Sequence, residues 1–139
     1  MNPSIIVVHH SLTKDSQTVS IGPIRDYHTK VNGWTDIGYH FIIENMRGHI
    51  EIVCGRMPDR QGAHCKGYNK RSIGICFVGN FDSISPSNKI WNAGIKLVKF
   101  LMRQYNIKNI VGHHELNPSK SCPGKYFDMD KFRKDCNFI

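Results

Sequence analysis

The sequence lacks any run approaching the roughly 20 apolar residues that a helix needs to span a bilayer. Residues 1–5 also lack the basic region, apolar stretch and small-residue cleavage site of a secretory signal. We therefore expect a protein that is synthesised in the cytoplasm and has no membrane attachment. With 139 residues the chain is too short for two domains of ordinary size, so residues 1–139 are expected to form one domain.

A paired set of cysteines is also missing. The chain has five cysteines, an odd number, and they are too widely spread for the disulfide framework of a small secreted domain. They are Cys54, Cys65, Cys76, Cys122 and Cys136. Free thiols are the expected state, and the spacing differs from the compact Cys and His pairs of structural zinc modules.

Negative charge is scarce, since 11 acidic side chains stand against 19 basic ones and give a net charge of +8. This balance implies attraction to polyanions such as nucleic acid, an anionic membrane or an acidic cell-wall polymer. The basic residues form no dense block, however, and no nucleic-acid-binding module is recognisable. Nucleic acid is therefore a minor alternative and not the expected partner.

Five segments have the pattern of β-strands. Residues 4–9 are almost wholly apolar and β-branched, which is typical of an interior strand covered on both faces. A second strand is entered at 34–44, and a turn joins it to a third at 49–53 as a hairpin. The remaining two predicted strands are 72–79 and 109–112. Residues 56–71 form a long loop, and loops of this length in compact domains are often functional.

Three helices are predicted, at 20–33, from a cap at Ser85 or Ser87 onward, and at 128–136 with Phe132 inward. The second is the longest, and one apolar stripe of it should face the sheet. The stripe consists of Trp91, Ile95, Val98, Met102 and Tyr105, widened by Leu97 and Leu101. The order of elements predicts an α/β fold with a central mixed β-sheet flanked by helices.

Metal-binding side chains follow two of the predicted strands. His9 and His10 end the first strand, and His113 and Cys122 follow the last one. Two imidazoles and a thiol are a ligand set that zinc accepts while leaving a fourth position for water. Neighbouring side chains on a strand point to opposite faces, so His9 and His10 cannot easily both bind one metal, and the pattern does not say which does. The alternative is that these histidines are ordinary core or surface residues.

Six segments, in order along the chain, resemble the zinc-dependent N-acetylmuramoyl-L-alanine amidases, the superfamily shared with peptidoglycan recognition proteins. The resemblance is greatest to the short phage-lysozyme branch and runs nearly end to end. The segments are Ile6-Val7-Val8-His9-His10-Ser11, Gly33-Trp34-Thr35-Asp36-Ile37-Gly38-Tyr39-His40-Phe41, Gly62-Ala63-His64, Gly67-Tyr68-Asn69, Ser72-Ile73-Gly74-Ile75 and Gly112-His113-His114-Glu115. The resemblance implies a single catalytic amidase domain over residues 1–139.

By this resemblance the ligands of one Zn²⁺ per chain are the first histidine of each pair, His9 and His113, together with Cys122. The resemblance also assigns Tyr39 and Lys120 to the active site. Without it, Tyr39 is more simply interpreted as a strand anchor and Lys120 as a solvated loop cation.

The resemblance places His64 and Asn69 in a loop similar to the family's groove wall, where contact with substrate is expected. The implied partner is peptidoglycan or a muropeptide, and a monomer is expected.

The implied reaction is zinc-dependent hydrolysis of the amide between the lactyl group of N-acetylmuramic acid and L-alanine in peptidoglycan. The cation would polarise the scissile carbonyl and lower the pKa of its bound water from about 15.7 toward about 7. Tyr39 is expected to orient or deprotonate that water, and Lys120 to stabilise the developing oxyanion.

The main alternative is a recognition module that binds peptidoglycan without cutting it, as some relatives in the superfamily do. Non-cleaving relatives commonly lack the cysteine or another ligand, whereas this chain has every implied ligand and catalytic residue. A third hypothesis is a basic cytosolic protein with a structural zinc. The resemblance does not distinguish a phage or prophage lysin from a recycling enzyme.

Overall fold

The computed structural model of the protein describes residues 1–12, 30, 32 and 37–137. Five strands lie within these ranges: β1 (Ile5–His10), β2 (Phe41–Met46), β3 (His49–Cys54), β4 (Ser72–Phe77) and β5 (Asn109–Gly112). The helices described are α1 (Asn88–Tyr105), α2 (His113–Leu116) and α3 (Met129–Asn137). The helix predicted at 20–33 lies mostly outside the described residues. Across the described ranges, no helix has both the length and the apolar character needed to cross a membrane.

The strands form one mixed sheet in the order β3-β2-β4-β1-β5. β1 is parallel to both β4 and β5, β2 is parallel to β4, and β2 and β3 form an antiparallel hairpin. The predicted mixed sheet and the interior position of β1 are therefore confirmed. Val8 of β1 pairs with Gly112 of β5, so His9, near the end of β1, and His113, directly after β5, lie next to each other at the edge where the parallel strands end.

The β2–β3 hairpin turns on two residues, Arg47 and Gly48. Both have positive φ angles, 56° and 86°, which is the backbone of a type I′ turn and matches the twist of paired strands. The Asn45 side chain accepts a hydrogen bond from the Gly48 N–H at 2.7 Å and closes the turn. The predicted hairpin is thus confirmed.

Helix α1 packs on the sheet through a stripe that overlaps the predicted one but is shifted around the helix. Its buried residues are Ile90, Gly94, Leu97, Val98 and Leu101, whereas Trp91, Ile95, Met102 and Tyr105 are only partly buried. The reason is Gly94, where a Cβ atom would lie 2.3 Å from Cζ of Phe77 in β4. The helix therefore makes room for the Phe77 ring at a residue without a side chain, which the apolar pattern does not indicate.

Helix α3 contributes to the same hydrophobic core as α1. The prediction of an inward Phe132 is correct, since that ring is fully buried. Its ring lies 5.8 Å from that of Phe77 and 5.0 Å from that of Trp91, so aromatic contacts join α3 to β4 and α1. The indole N–H of Trp91 donates to the Asp135 carboxylate at 2.9 Å. All five cysteines lie in described segments and are free, as expected.

The cap of α1 is Ser87, whose hydroxyl accepts a hydrogen bond from the Ile90 N–H at 3.3 Å. We expect Ser87→Ala to lower the free energy of unfolding by about 1 kcal/mol, because an N–H of the first turn loses its partner. Urea denaturation followed by circular dichroism measures this change. Ser85→Ala is the matched control at the other predicted cap, and an equal loss there would contradict the assignment.

Candidate metal centre and active site

His9, His113 and Cys122 converge at the carboxyl edge of the sheet. One ligand atom from each lies within 4.8 Å of the others. His9 is near the end of β1, His113 begins α2 directly after β5, and Cys122 lies in the loop between α2 and α3. The structure thus brings together three residues that are up to 113 positions apart in the sequence.

The geometry of this cluster fits zinc. His9 Nδ1 and Cys122 Sγ are 3.6 Å apart. A tetrahedral zinc ion with ordinary Zn–N and Zn–S bond lengths holds its nitrogen and sulfur ligands about 3.6 Å from each other. Burial, with nearby His64 and His113, lowers the pKa of His9 well below its usual value and keeps the ring in the neutral form that binds metals.

Cys122 is held so that its sulfur faces this cluster. The His10 N–H donates to Cys122 Sγ at 3.3 Å. Burial raises the pKa of the Cys122 thiol to about 12, although the His10 N–H opposes this shift. A divalent cation reverses the balance, because a coordinating thiol loses its proton. The sulfur is therefore suited to bind a cation and remains protonated without one.

The second histidine of each pair supports the loops and does not join the cluster. His10 accepts a hydrogen bond at Nδ1 from the Phe81 N–H at 3.1 Å and stacks on the Phe81 ring. His114 contacts the carbonyl oxygen of Cys122 twice, through its backbone N–H at 2.7 Å and its Nδ1 at 3.1 Å. Both contacts fix the backbone around the ligand atoms, as expected for packing residues.

The loop that carries Cys122 is anchored to the segment after β4. Asp82 accepts a hydrogen bond from the Ser121 hydroxyl at 2.8 Å and another from the Lys125 N–H at 3.1 Å. The Tyr126 N–H donates to the Phe81 carbonyl at 2.8 Å. These contacts flank Cys122 on both sides and do not involve its sulfur, so they position the loop independently of any ligand.

The position of His113 depends on the start of α2. The Gly112 N–H donates to the Glu115 carboxylate at 2.8 Å, and Arg133 of α3 forms an ion pair with the same carboxylate at 2.6 Å. Glu115 thus caps the short helix and links it to α3. This helix was not predicted, because four residues are too few to show a helical period.

Tyr39 and Lys120 lie beside the cluster. The Tyr39 ring is half-buried, with its centroid 5.1 Å from that of His9. Burial raises the pKa of Tyr39 well above its usual value, and Cys76 contributes by a hydrogen bond. Lys120 is exposed, and its charge adds to burial in lowering the pKa of His113. The five residues predicted to bind metal or catalyse therefore come together, while their individual roles stay predictions.

His64 and Asn69 occupy the long loop before β4. His64 is only 9% exposed, and its Nδ1 lies 2.9 Å from His9 Nε2. The Asn69 side chain accepts hydrogen bonds from the N–H groups of His64 and Cys65, both at 2.9 Å. These contacts are within the protein, and the predicted contact of both residues with substrate stays a prediction.

The contact between His64 and His9 was missed by sequence reasoning. Its only local signal is Gly74 in β4, a glycine inside an otherwise apolar strand. A Cβ atom at position 74 would lie 2.5 Å from Cγ of His64, so the glycine leaves the space in which the imidazole sits.

Known proteins are similar to this chain over a range that includes all three residues of the cluster. A family model described as N-acetylmuramoyl-L-alanine amidase matches residues 1–125. The endolysin of Klebsiella phage KP32 is 38% identical over 134 residues, covering 93% of this chain and 84% of the relative. The endolysin of Escherichia phage T7 is 39% identical over 132 residues, covering 91% and 83%. The solved N-acetylmuramoyl-L-alanine amidase LysC from Clostridium intestinale URNW has a TM-score of 0.88 at 31% identity, covering 99% of this chain and 87% of that one.

Proposed function

This chain belongs to the N-acetylmuramoyl-L-alanine amidase family, and we propose that it performs the family's reaction with one zinc ion held by His9, His113 and Cys122. It is an amidase related to phage lysins, and it hydrolyses the amide between the lactyl group of N-acetylmuramic acid and L-alanine in peptidoglycan. The observation that supports the metal is the spacing of the ligand atoms, above all the 3.6 Å between His9 Nδ1 and Cys122 Sγ.

A zinc ion bound there would supply Lewis-acid chemistry by polarising the scissile carbonyl and acidifying a water molecule. Tyr39, whose ring lies beside His9, is proposed to orient the attacking water by a hydrogen bond. Lys120 is proposed to stabilise the negative charge that develops on the carbonyl oxygen. The low exposure of His9 keeps solvent from one side of the reacting groups.

The net positive charge supports the same function. Peptidoglycan stem peptides carry carboxylates, and cell walls often contain further anionic polymers, so long-range attraction increases the rate of encounter. We propose that the protein acts as a monomer on the wall or on muropeptides, and that another factor brings a cytoplasmically made enzyme to the wall.

Metal removal is the direct test. Purified peptidoglycan is incubated with zinc-loaded protein, with protein treated with a chelator, and with chelated protein to which zinc is restored. New L-alanine amino termini should form only in the first and third reactions. Circular dichroism of the chelated protein serves as the control, because removal of a purely structural zinc would unfold the protein.

A recognition module would give a different result in the same experiment. The protein would sediment with peptidoglycan, and zinc would bind, but no L-alanine amino termini would form. That outcome would leave Tyr39 and Lys120 as groove residues and would contradict the proposed catalytic roles.

A further inference from the structure

A line of hydrogen bonds leads from His9 into the protein, away from Cys122. His9 Nε2 lies 2.9 Å from His64 Nδ1, and His64 Nε2 lies 3.2 Å from the Ser72 hydroxyl. The Ser72 hydroxyl donates to the backbone carbonyl of Tyr68 at 2.7 Å. The three side chains of this line, His9, His64 and Ser72, are all buried. Such groups need partners in the protein, because water does not reach them.

The end of this line fixes the position of every proton along it. The Tyr68 carbonyl can only accept, so the single proton of the Ser72 hydroxyl is committed to it. Ser72 Oγ must then accept from His64, which places the His64 proton on Nε2. A neutral imidazole carries one proton, so His64 Nδ1 is an acceptor and can only receive the proton of His9 Nε2.

We propose that His64 is a positioning residue that fixes the tautomer of His9, so that the proton lies on Nε2 and the lone pair of Nδ1 faces Cys122. This inference rests on the proposed metal site, and it assigns His64 a role other than contact with substrate. A histidine that binds a metal commonly donates its other N–H to a protein acceptor, which fixes its tautomer and its orientation. Here the acceptor is a second imidazole.

The shape of the protein supports this role independently. The His64 ring lies against β4 at Gly74, where any Cβ atom would come within 2.5 Å of it. Its backbone N–H is held by Asn69 at 2.9 Å. The ring thus packs against β4 at Gly74, and the Asn69 hydrogen bond holds the backbone that carries it. A residue that only filled space would not need a polar partner at each ring nitrogen.

The first measurement is the tautomer itself. Nitrogen-edited NMR of the metal-free protein, with ¹⁵N-labelled histidine, distinguishes a protonated ring nitrogen from a bare one. We expect His9 to carry its proton on Nε2 and to keep Nδ1 bare, and the His64→Ala variant to lose this preference. A wild-type spectrum with the proton on His9 Nδ1 would overturn the inference.

The second measurement is zinc affinity, determined by competition with a chromogenic chelator. His64→Ala should weaken binding about 10- to 100-fold, the usual effect of removing a partner of a metal ligand. His64→Gln should restore most of the loss, because its amide can accept from His9 and donate to Ser72. His49→Ala, at an exposed histidine of β3, is the matched control and should leave the affinity unchanged.

The outcomes separate this inference from the proposed metal site. If His9→Ala keeps wild-type zinc affinity, the ligand assignment itself is wrong. If His9→Ala abolishes binding while folded His64→Ala binds zinc normally, only the role of His64 is wrong. A loss in His64→Ala that His64→Gln does not repair would mean that the ring acts by packing, which also overturns the inference.

Discussion

Replacing Cys122 by alanine should abolish amide hydrolysis, with kcat/KM lowered by on the order of 10³-fold or more. The change removes one of three proposed ligands, and its sulfur is the atom that lies 3.6 Å from His9 Nδ1. The fold should remain, because Asp82 and Phe81 hold the loop through Ser121, Lys125 and Tyr126. Formation of L-alanine amino termini from purified peptidoglycan measures the loss.

Cys54→Ala is the matched control for this variant, since Cys54 is an exposed thiol on β3. It should have wild-type activity and bind one zinc ion per chain. Zinc content measured after dialysis should fall only in Cys122→Ala. Full activity in a zinc-free Cys122→Ala protein would contradict the proposed metal site.

Replacing Tyr39 by phenylalanine should lower kcat by about 10²-fold or more while zinc affinity stays unchanged. The substitution removes one hydroxyl and keeps the ring that packs 5.1 Å from His9. Because the lost group is proposed to act on the water molecule and not on substrate binding, KM should change little. Steady-state rates on soluble muropeptides, together with chelator competition, separate these quantities.

Tyr105→Phe is the control, since this half-buried tyrosine lies at the far end of α1. If Tyr39→Phe has normal kcat but lowered stability, Tyr39 is a strand anchor. That is the interpretation that its position in the sequence favours without the family resemblance. Zinc content distinguishes Tyr39→Phe from Cys122→Ala, because Cys122→Ala should lose the metal and Tyr39→Phe should keep it.

Much of the fold follows from short-range pattern. The apolar β-branched run of β1 predicts an interior strand, and the period of two along a strand explains why His9 joins the cluster while His10 turns to Phe81. Parallel pairing then places His113 next to His9, because strands that run in the same direction end at the same edge. Residue pattern and sheet geometry explain these steps once the strand order is known, whereas the choice of His9 over His10 was implied only by the family resemblance.

The remaining features depend on contacts between segments distant in sequence. The buried face of α1 includes Gly94, which contacts the Phe77 ring, so the apolar pattern alone predicted a face centred too close to Trp91 and Ile95. The contact of His64 with His9 joins residues 55 positions apart through a loop without periodicity. A glycine marks each of these contacts, Gly94 at Phe77 and Gly74 at His64. The sequence does not show which side chain occupies the space that the glycine leaves.

Gly74 gives the His64 ring its space at a cost in the stability of the sheet. Glycine inside a strand is roughly 0.5–1 kcal/mol less favourable than alanine, and Gly74 sits in β4, the middle strand of the sheet. Selection for heat resistance alone would favour a larger residue there. Such a residue would displace the imidazole of His64, so adaptation of this protein to higher temperature must proceed at other positions.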